Sequence, residues 1–143
     1  MPKVDFYILS DTVCFPFACR LIEKIYKQNH RIYVHAENQS DAHTLDELLW
    51  TYRDDSFLPH NLYGEGPEPV PPIQIGFNVT PEKHRDVLIN LSNAVPPFYT
   101  QFMRVLELVA RNQTAEEKGR ERYRFYRAEG FAITTHKLET IEN

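Results

Sequence analysis

The first fifty residues alternate two hydrophobic patterns, and that alternation admits few architectures. Residues 4–9 (VDFYIL) are β-branched and aromatic, as a strand requires. They run into Ser10-Asp11-Thr12, side chains that can accept the free amides of a helix start, and a helix over 13–28 is expected, with Pro16 tolerated in its first turn. Residues 31–36 (RIYVHA) read as a second strand. Ser40 is placed to cap a second helix over 41–53, in which Ala42, Leu45, Leu48, Leu49 and Tyr52 make one apolar stripe. Two strands, each followed by a helix, call for a parallel sheet with right-handed crossovers.

Residues 54–72 break the pattern. Pro59, Pro67, Pro69, Pro71 and Pro72 forbid a continuous helix and permit only edge or interrupted strand pieces, so the segment is expected as a long ordered loop. Short apolar runs at 73–77, 86–91 and 103–110 supply the remaining strands. A last helix over 114–130 (TAEEKGRERYRFYRAEG) closes the fold, with Thr114 and Glu117 as a capping box and Gly130 as a left-handed stop. With 143 residues and 42% hydrophobic content the chain can bury a core in one domain spanning 1–143. The expected fold is a three-layer, Rossmann-like α/β domain whose mainly parallel sheet has about five strands and helices on both faces.

Several chemistries find no support. The turn after the first strand, SDTVCFPFA, contains no glycine, so pyrophosphate has no cradle there and no nucleotide cofactor is expected. The pair Gly64-Glu65-Gly66 precedes no helix and carries an acid. Cys14 and Cys19 lack a second ligand pair, and the six histidines include no HExxH, so no metal is expected. No run approaches the ~20 apolar residues of a membrane span and the N-terminus lacks a signal-peptide core, which makes a cytoplasmic location the default expectation. An alternative reading is a small hydrolase or nucleotide-binding enzyme with a cleft near Asp11 and His60. The competing account makes His60 a fastener of its loop and Asp11 a helix-initiating carboxylate.

Two surfaces carry more information. Trp50, the single tryptophan, falls on the polar side of the second helix with His43, Asp46 and Glu47, where it is either covered by the following loop or an anchor for a partner, with Phe57 able to join it. On the last helix, Ala115, Gly119, Arg122 and Tyr126 form a packing stripe, while Arg120, Arg124 and Arg127 cluster elsewhere with Tyr123 at their border. The arginines either pair with neighbouring glutamates in solvent or form a site. A guanidinium cluster beside a ring suits a carboxylate-bearing peptide or single-stranded nucleic acid. A net charge of −4 favours the peptide.

The stretches FYIL, LDELLW (45–50), SFLPHNLYGEGP (56–67), RDVLINLS (85–92) and GRERYRFYRAEGF (119–131) together make the chain resemble the chi subunit of bacterial DNA polymerase III over nearly its whole length. The resemblance implies a non-catalytic accessory protein of the clamp loader. Such a protein joins the psi subunit on one side and the acidic C-terminal tail of single-stranded DNA-binding protein on the other. By motif, Arg120, Tyr123 and Arg124 match the tail-binding positions, with Val109 as an apolar wall, and Trp50 with Phe57 match positions that hold psi or, alternatively, a helicase. The family more familiarly has lysine where Arg124 stands. The stretch 10–20, with CFPFAC, departs most from the family pattern.

Overall fold

The computed structural model describes residues 2–53 and 57–138; the remainder of the 1–143 span, including the first three residues of the proline-rich segment, lies outside the described residues. Seven strands and three helices follow in the order β1 (Lys3–Ile8), α1 (Phe15–Lys27), β2 (Ile32–His35), α2 (Gln39–Thr51), β3 (His60–Leu62), β4 (Ile73–Gly76), β5 (Val87–Asn90), β6 (Arg104–Val109), α3 (Gln113–Ala128) and β7 (Ile133–Lys137). The strands form one sheet in the order β3-β4-β2-β5-β6-β1-β7, and every neighbouring pair is parallel.

The expected α/β fold is present with seven strands instead of about five. The two additional strands are the sheet's edges. β3 lies inside the segment expected to be a loop, immediately after Pro59 and before the positive-φ Gly64, and an edge is where a three-residue strand beside proline is tolerated. β7 follows α3, so the last helix does not close the fold. Its sequence ITTHK has polar residues on both faces because, among the described residues, only one side has a neighbouring strand and little of it is covered. The interior strands β2, β4 and β5 are buried almost throughout, as a sheet covered on both faces requires.

Register and alternation assign the two faces. Val4, Phe6 and Ile8 of β1 share a face with Val105, Glu107 and Val109 of β6 and with Ile133, Thr135 and Lys137 of β7. This face is covered by α3 and by a 3-10 turn at Tyr99–Gln101, in a cluster that includes Phe98, Tyr99, Phe102, Tyr126 and Phe131. The opposite face, with Ile32, Val34, Ile73, Ile75, Val87, Ile89, Leu106 and Leu108, receives α1 through Ala18, Leu21, Ile22 and Ile25 and α2 through Ala42, Leu45 and Leu49. The helices therefore lie on both faces, α1 and α2 against α3.

The helix starts differ from expectation in a consistent way. α2 is capped by Asn38, whose side chain accepts from the Asp41 amide at 2.8 Å, and Ser40 lies within the first turn. α3 is capped by Asn112, which accepts from the Ala115 amide at 2.9 Å, and Thr114 lies inside the helix. Asparagine spans the gap to the third amide as well as serine or threonine does, and it stands two residues earlier in each case. α1 begins at Phe15 after Cys14, with no side-chain cap and Pro16 in its first turn, so the expected start at Ser10-Asp11-Thr12 is not used.

Candidate functional site

α3 follows one parallel strand and precedes another, so it runs antiparallel to β6, β1 and β7. Three contacts fix its roll about its own axis. Gly119 lies on Val109, close enough that a Cβ there would stand 2.9 Å from both valine methyls. Tyr126 is buried, its ring 5.9 Å from that of Phe6. Arg122 is buried as well and donates from Nε to Glu107 at 2.8 Å, and from its terminal nitrogens to the Asn93 and Leu108 carbonyls.

Glu107 is the centre of this anchor. It also accepts from the Tyr126 hydroxyl at 2.6 Å and from Asn90 Nδ2 at 2.9 Å, so a fully buried carboxylate has a cation and two further donors around it. Burial pushes its pKa up, while Arg122, Tyr126 and Asn90 pull it back. Burial, then the Glu107 charge, raises the Tyr126 hydroxyl far above the tyrosine range and keeps it a donor.

With that roll fixed, Gly119, Arg122 and Tyr126 of the expected stripe are buried and Ala115 is half-buried, while Arg120, Arg124 and Arg127 are exposed. The neighbouring glutamates do not neutralise them. Glu121 pairs with Lys118 at 3.5 Å, and Glu117 receives Gln113 Nε2 at 3.4 Å. Among the described residues Arg120 and Arg124 make no ion pair, and Arg127 lies over the Tyr123 ring at 6.0 Å with a 3.4 Å hydrogen bond to its hydroxyl. Tyr123 in turn meets Phe6 edge-on at 5.4 Å.

Val109 is placed beside this face but beneath it. It is 5% exposed, and its methyls meet the helix at Gly119. Two partly open apolar residues of the same cluster flank the level of Phe6 that Tyr123 covers, Ile8 on one side and Ile133, in register with Val4, on the other. Ile133 and its strand escaped the sequence reading, although the β-branched run Ile133-Thr134-Thr135 was the available signal. At the top of the groove Ile8, Ala110, Arg111, Glu116, Lys137 and Leu138 border a concavity of ≈ 420 Å³.

The second surface lies across the sheet. Trp50 is 54% exposed and Phe57 68% exposed, with ring centroids 5.8 Å apart, and the Trp50 ring stands 4.4 Å from that of His60. His60 fixes this pair from below. It is buried, with Nδ1 at 2.6 Å from the Leu58 carbonyl and Nε2 at 3.1 Å from the Asp46 carbonyl, so it ties the segment after α2 to that helix. Neither the core nor the described part of the following segment covers Trp50 fully, and Phe57 is exposed beside it.

The cleft expected near Asp11 and His60 is not formed. Asp11 follows β1 and His60 begins β3, five inter-strand spacings away in the sheet order, or about 24 Å at ~4.8 Å each. The Asp11 carbonyl accepts from the Arg111 amide, and His60 presents both ring nitrogens to main-chain carbonyls. Cys14 and Cys19 are free, and burial pushes their thiols up to about 11 and about 12, which keeps them protonated and unreactive. Among the described residues no group of histidine, cysteine and carboxylate side chains is arranged to hold a metal, and no helix is long and apolar enough to cross a membrane.

The sequence of the DNA polymerase III chi subunit family, HolC, matches residues 1–134. The chain belongs to that family. It is 36% identical to DNA polymerase III subunit chi of Pseudomonas aeruginosa, over 99% of this chain and 100% of the relative. To the Escherichia coli subunit chi it is 32% identical, over 94% of this chain and 97% of that one, and to the Haemophilus influenzae subunit chi 30%, over 94% and 96%. Chi subunits are accessory subunits of DNA polymerase III, and in this chi-family chain the arginine face and the exposed Trp50–Phe57 pair lie on opposite sides of the sheet.

Proposed function

We propose that this chain is a non-catalytic adaptor of the replication machinery. Its arginine face takes the acidic C-terminal tail of single-stranded DNA-binding protein, and its Trp50–Phe57 face takes the psi subunit of the clamp loader, with a helicase as a competing occupant of the latter. The observation that carries the reading is the row Arg120, Arg124 and Arg127, exposed and left without neutralising glutamates beside Tyr123, Ile8 and Ile133 on a chain of net charge −4. A tail that ends in aspartates and an apolar residue with a free carboxylate needs both halves of that surface. Guanidinium forks match carboxylates, and the ring with its aliphatic neighbours matches the apolar end. Nucleic acid is the less favoured ligand because the molecule's overall field repels it.

Titration of a labelled peptide of that composition tests the first half. Arg120→Ala is expected to weaken binding about tenfold or more, since a hydrogen bond to a charged group contributes about 1.5–3 kcal/mol. Affinity should also fall with added salt, because these charges face solvent and the screening length shrinks to about 8 Å at physiological ionic strength. Unchanged binding by Arg120→Ala would place the site elsewhere. For the second half, Trp50→Ala is expected to weaken capture of psi by about 2 kcal/mol or more, the loss typical of a central interface aromatic, while sparing the peptide. The sheet separates α2 from α3, which supports independent losses. Simultaneous loss of both partners with an intact circular dichroism spectrum contradicts the two-surface arrangement.

A further inference from the structure

The arginine face borders an open sheet edge. Among the described residues β7 has a neighbour on one side only, and it is the longer of the two edges, five residues against the three of β3. Proteins usually blunt such an edge with proline, a bulge or several charges. β7 has no proline, and its one lysine stands at its end.

Hydrogen-bond alternation fixes which groups point outward. The Leu138 amide donates to the Ile8 carbonyl at 2.9 Å, so with a two-residue period the amides of His136 and Thr134 also turn toward β1. The N–H and C=O groups of Ile133, Thr135 and Lys137 therefore face away from the sheet. The side chains of these three residues lie on the α3 side, because they are in register with Val4, Phe6 and Ile8. Tyr123 covers Phe6, whose partner in β7 is Thr135, and on the helix Arg120 and Arg127 lie on the same flank as Tyr123.

From this juxtaposition we infer that the bound acidic peptide lies extended along the outer edge of β7 and adds an eighth strand to the sheet. The inference rests on the proposed reading of the arginine face as a peptide site and supplies its binding mode. The outward amides and carbonyls of Ile133, Thr135 and Lys137 pair with the peptide backbone. Alternate peptide side chains then turn to the α3 side, where Arg120 and Arg127 meet carboxylates and Tyr123 with Ile133 meets the apolar end. Backbone pairing gives affinity and the alternate pockets give selectivity, a division common to strand-addition complexes. Glu116, at the Lys137 end of the groove, is the opposing charge and disfavours an acid there.

The test uses two synthetic peptides of the acidic tail composition, N-methylated at complementary sets of alternate amides, titrated against the full chain. One set is expected to lose affinity about tenfold or more and the other to remain within about twofold, since only every second amide of an added strand faces β7. On the protein, Thr135→Pro removes an outward N–H without touching the β1 ladder and is expected to cause a similar loss, while Thr135→Ala binds normally. Amide exchange provides a readout independent of variants: Ile133, Thr135 and Lys137 should gain protection on peptide addition, while Thr134 and His136 are protected beforehand. If both methylated peptides bind alike and Arg120→Ala still weakens binding about tenfold or more, strand addition is overturned and the arginine site stands. If Arg120→Ala is also without effect, the peptide reading of this face falls with it.

Discussion

Gly119 and Gly76 show how little room single residues leave in the layer between the sheet and the elements that cover its α3 face. At Gly76 a Cβ would come 2.9 Å from Cζ of the buried Tyr33, whose ring fills the space beneath the 3-10 turn through Phe98 and Phe102. At Gly119 it would come equally close to Val109, a β-branched residue in a central strand that cannot rotate away. Two effects oppose each other in Gly119→Ala. Alanine favours a helix interior over glycine by about 0.8–1 kcal/mol, whereas overpacking costs about 1–3 kcal/mol. We expect a net destabilisation near ~1 kcal/mol in urea unfolding, together with weaker peptide binding as the arginine face is pushed off register. In a Val109→Ala background the clash is absent, and the same substitution should become stabilising. A destabilisation of equal size in both backgrounds would show that Val109 does not set the position of α3.

At the scale of elements, the caps offer a clean comparison. Asn38→Ala and Asn112→Ala are each expected to lower stability by about 1 kcal/mol, while Ser40→Ala and Thr114→Ala should stay within about 0.5 kcal/mol. Equal losses in both pairs, measured by urea midpoints at constant slope, would restore the serine and threonine as caps. The sequence offered Ser40 and Thr114 because both precede an apolar stripe, but several capping residues stand in each linker and only backbone geometry chooses among them. The strands were legible in proportion to their burial: β1, β2, β4, β5 and β6 have dense β-branched or apolar runs because helices or loops cover both their faces. β3 and β7 were not, because an edge strand is half solvated and its composition resembles a loop. The same limit applied to the arginine face. Helical periodicity separated Arg120 and Arg124 from Gly119 and Arg122, yet Ile133 and Lys137 come from a strand that leaves no hydrophobic signature, and Val109 reaches the site only as a support under Gly119.

At the scale of the whole molecule, two imidazoles held by the fold, His35 and His84, contribute to its response to acid. His84 is fully buried with Nε2 near the Pro71 and Pro72 carbonyls, and His35 lies at the end of β2 with its ring 5.4 Å from Phe98. Burial is the main cause that lowers the pKa of each below the usual 6.5, opposed at His35 by Glu37 and at His84 by the two carbonyls and Asp86, with Arg31 reinforcing the shift at His84. In the unfolded chain both rings take a proton as the pH falls through about 6.5. In the folded chain they do so only at lower pH, so the unfolded state binds more protons in that window and stability decreases as pH falls, by at most about 1.4 kcal/mol per pH unit for each ring. The urea midpoint is therefore expected to drop between pH 7.5 and 5.5. The double variant His35→Gln/His84→Gln, although less stable at pH 7.5, should show a smaller drop over the same interval. Peptide affinity of the wild type should change far less there, because the guanidinium groups of Arg120, Arg124 and Arg127 remain charged throughout and the peptide's aspartates titrate below it. A drop of equal size in the double variant would assign the acid sensitivity to other groups, and a matching loss of affinity would mean that the arginine face is held in place by the same imidazoles that the acid protonates.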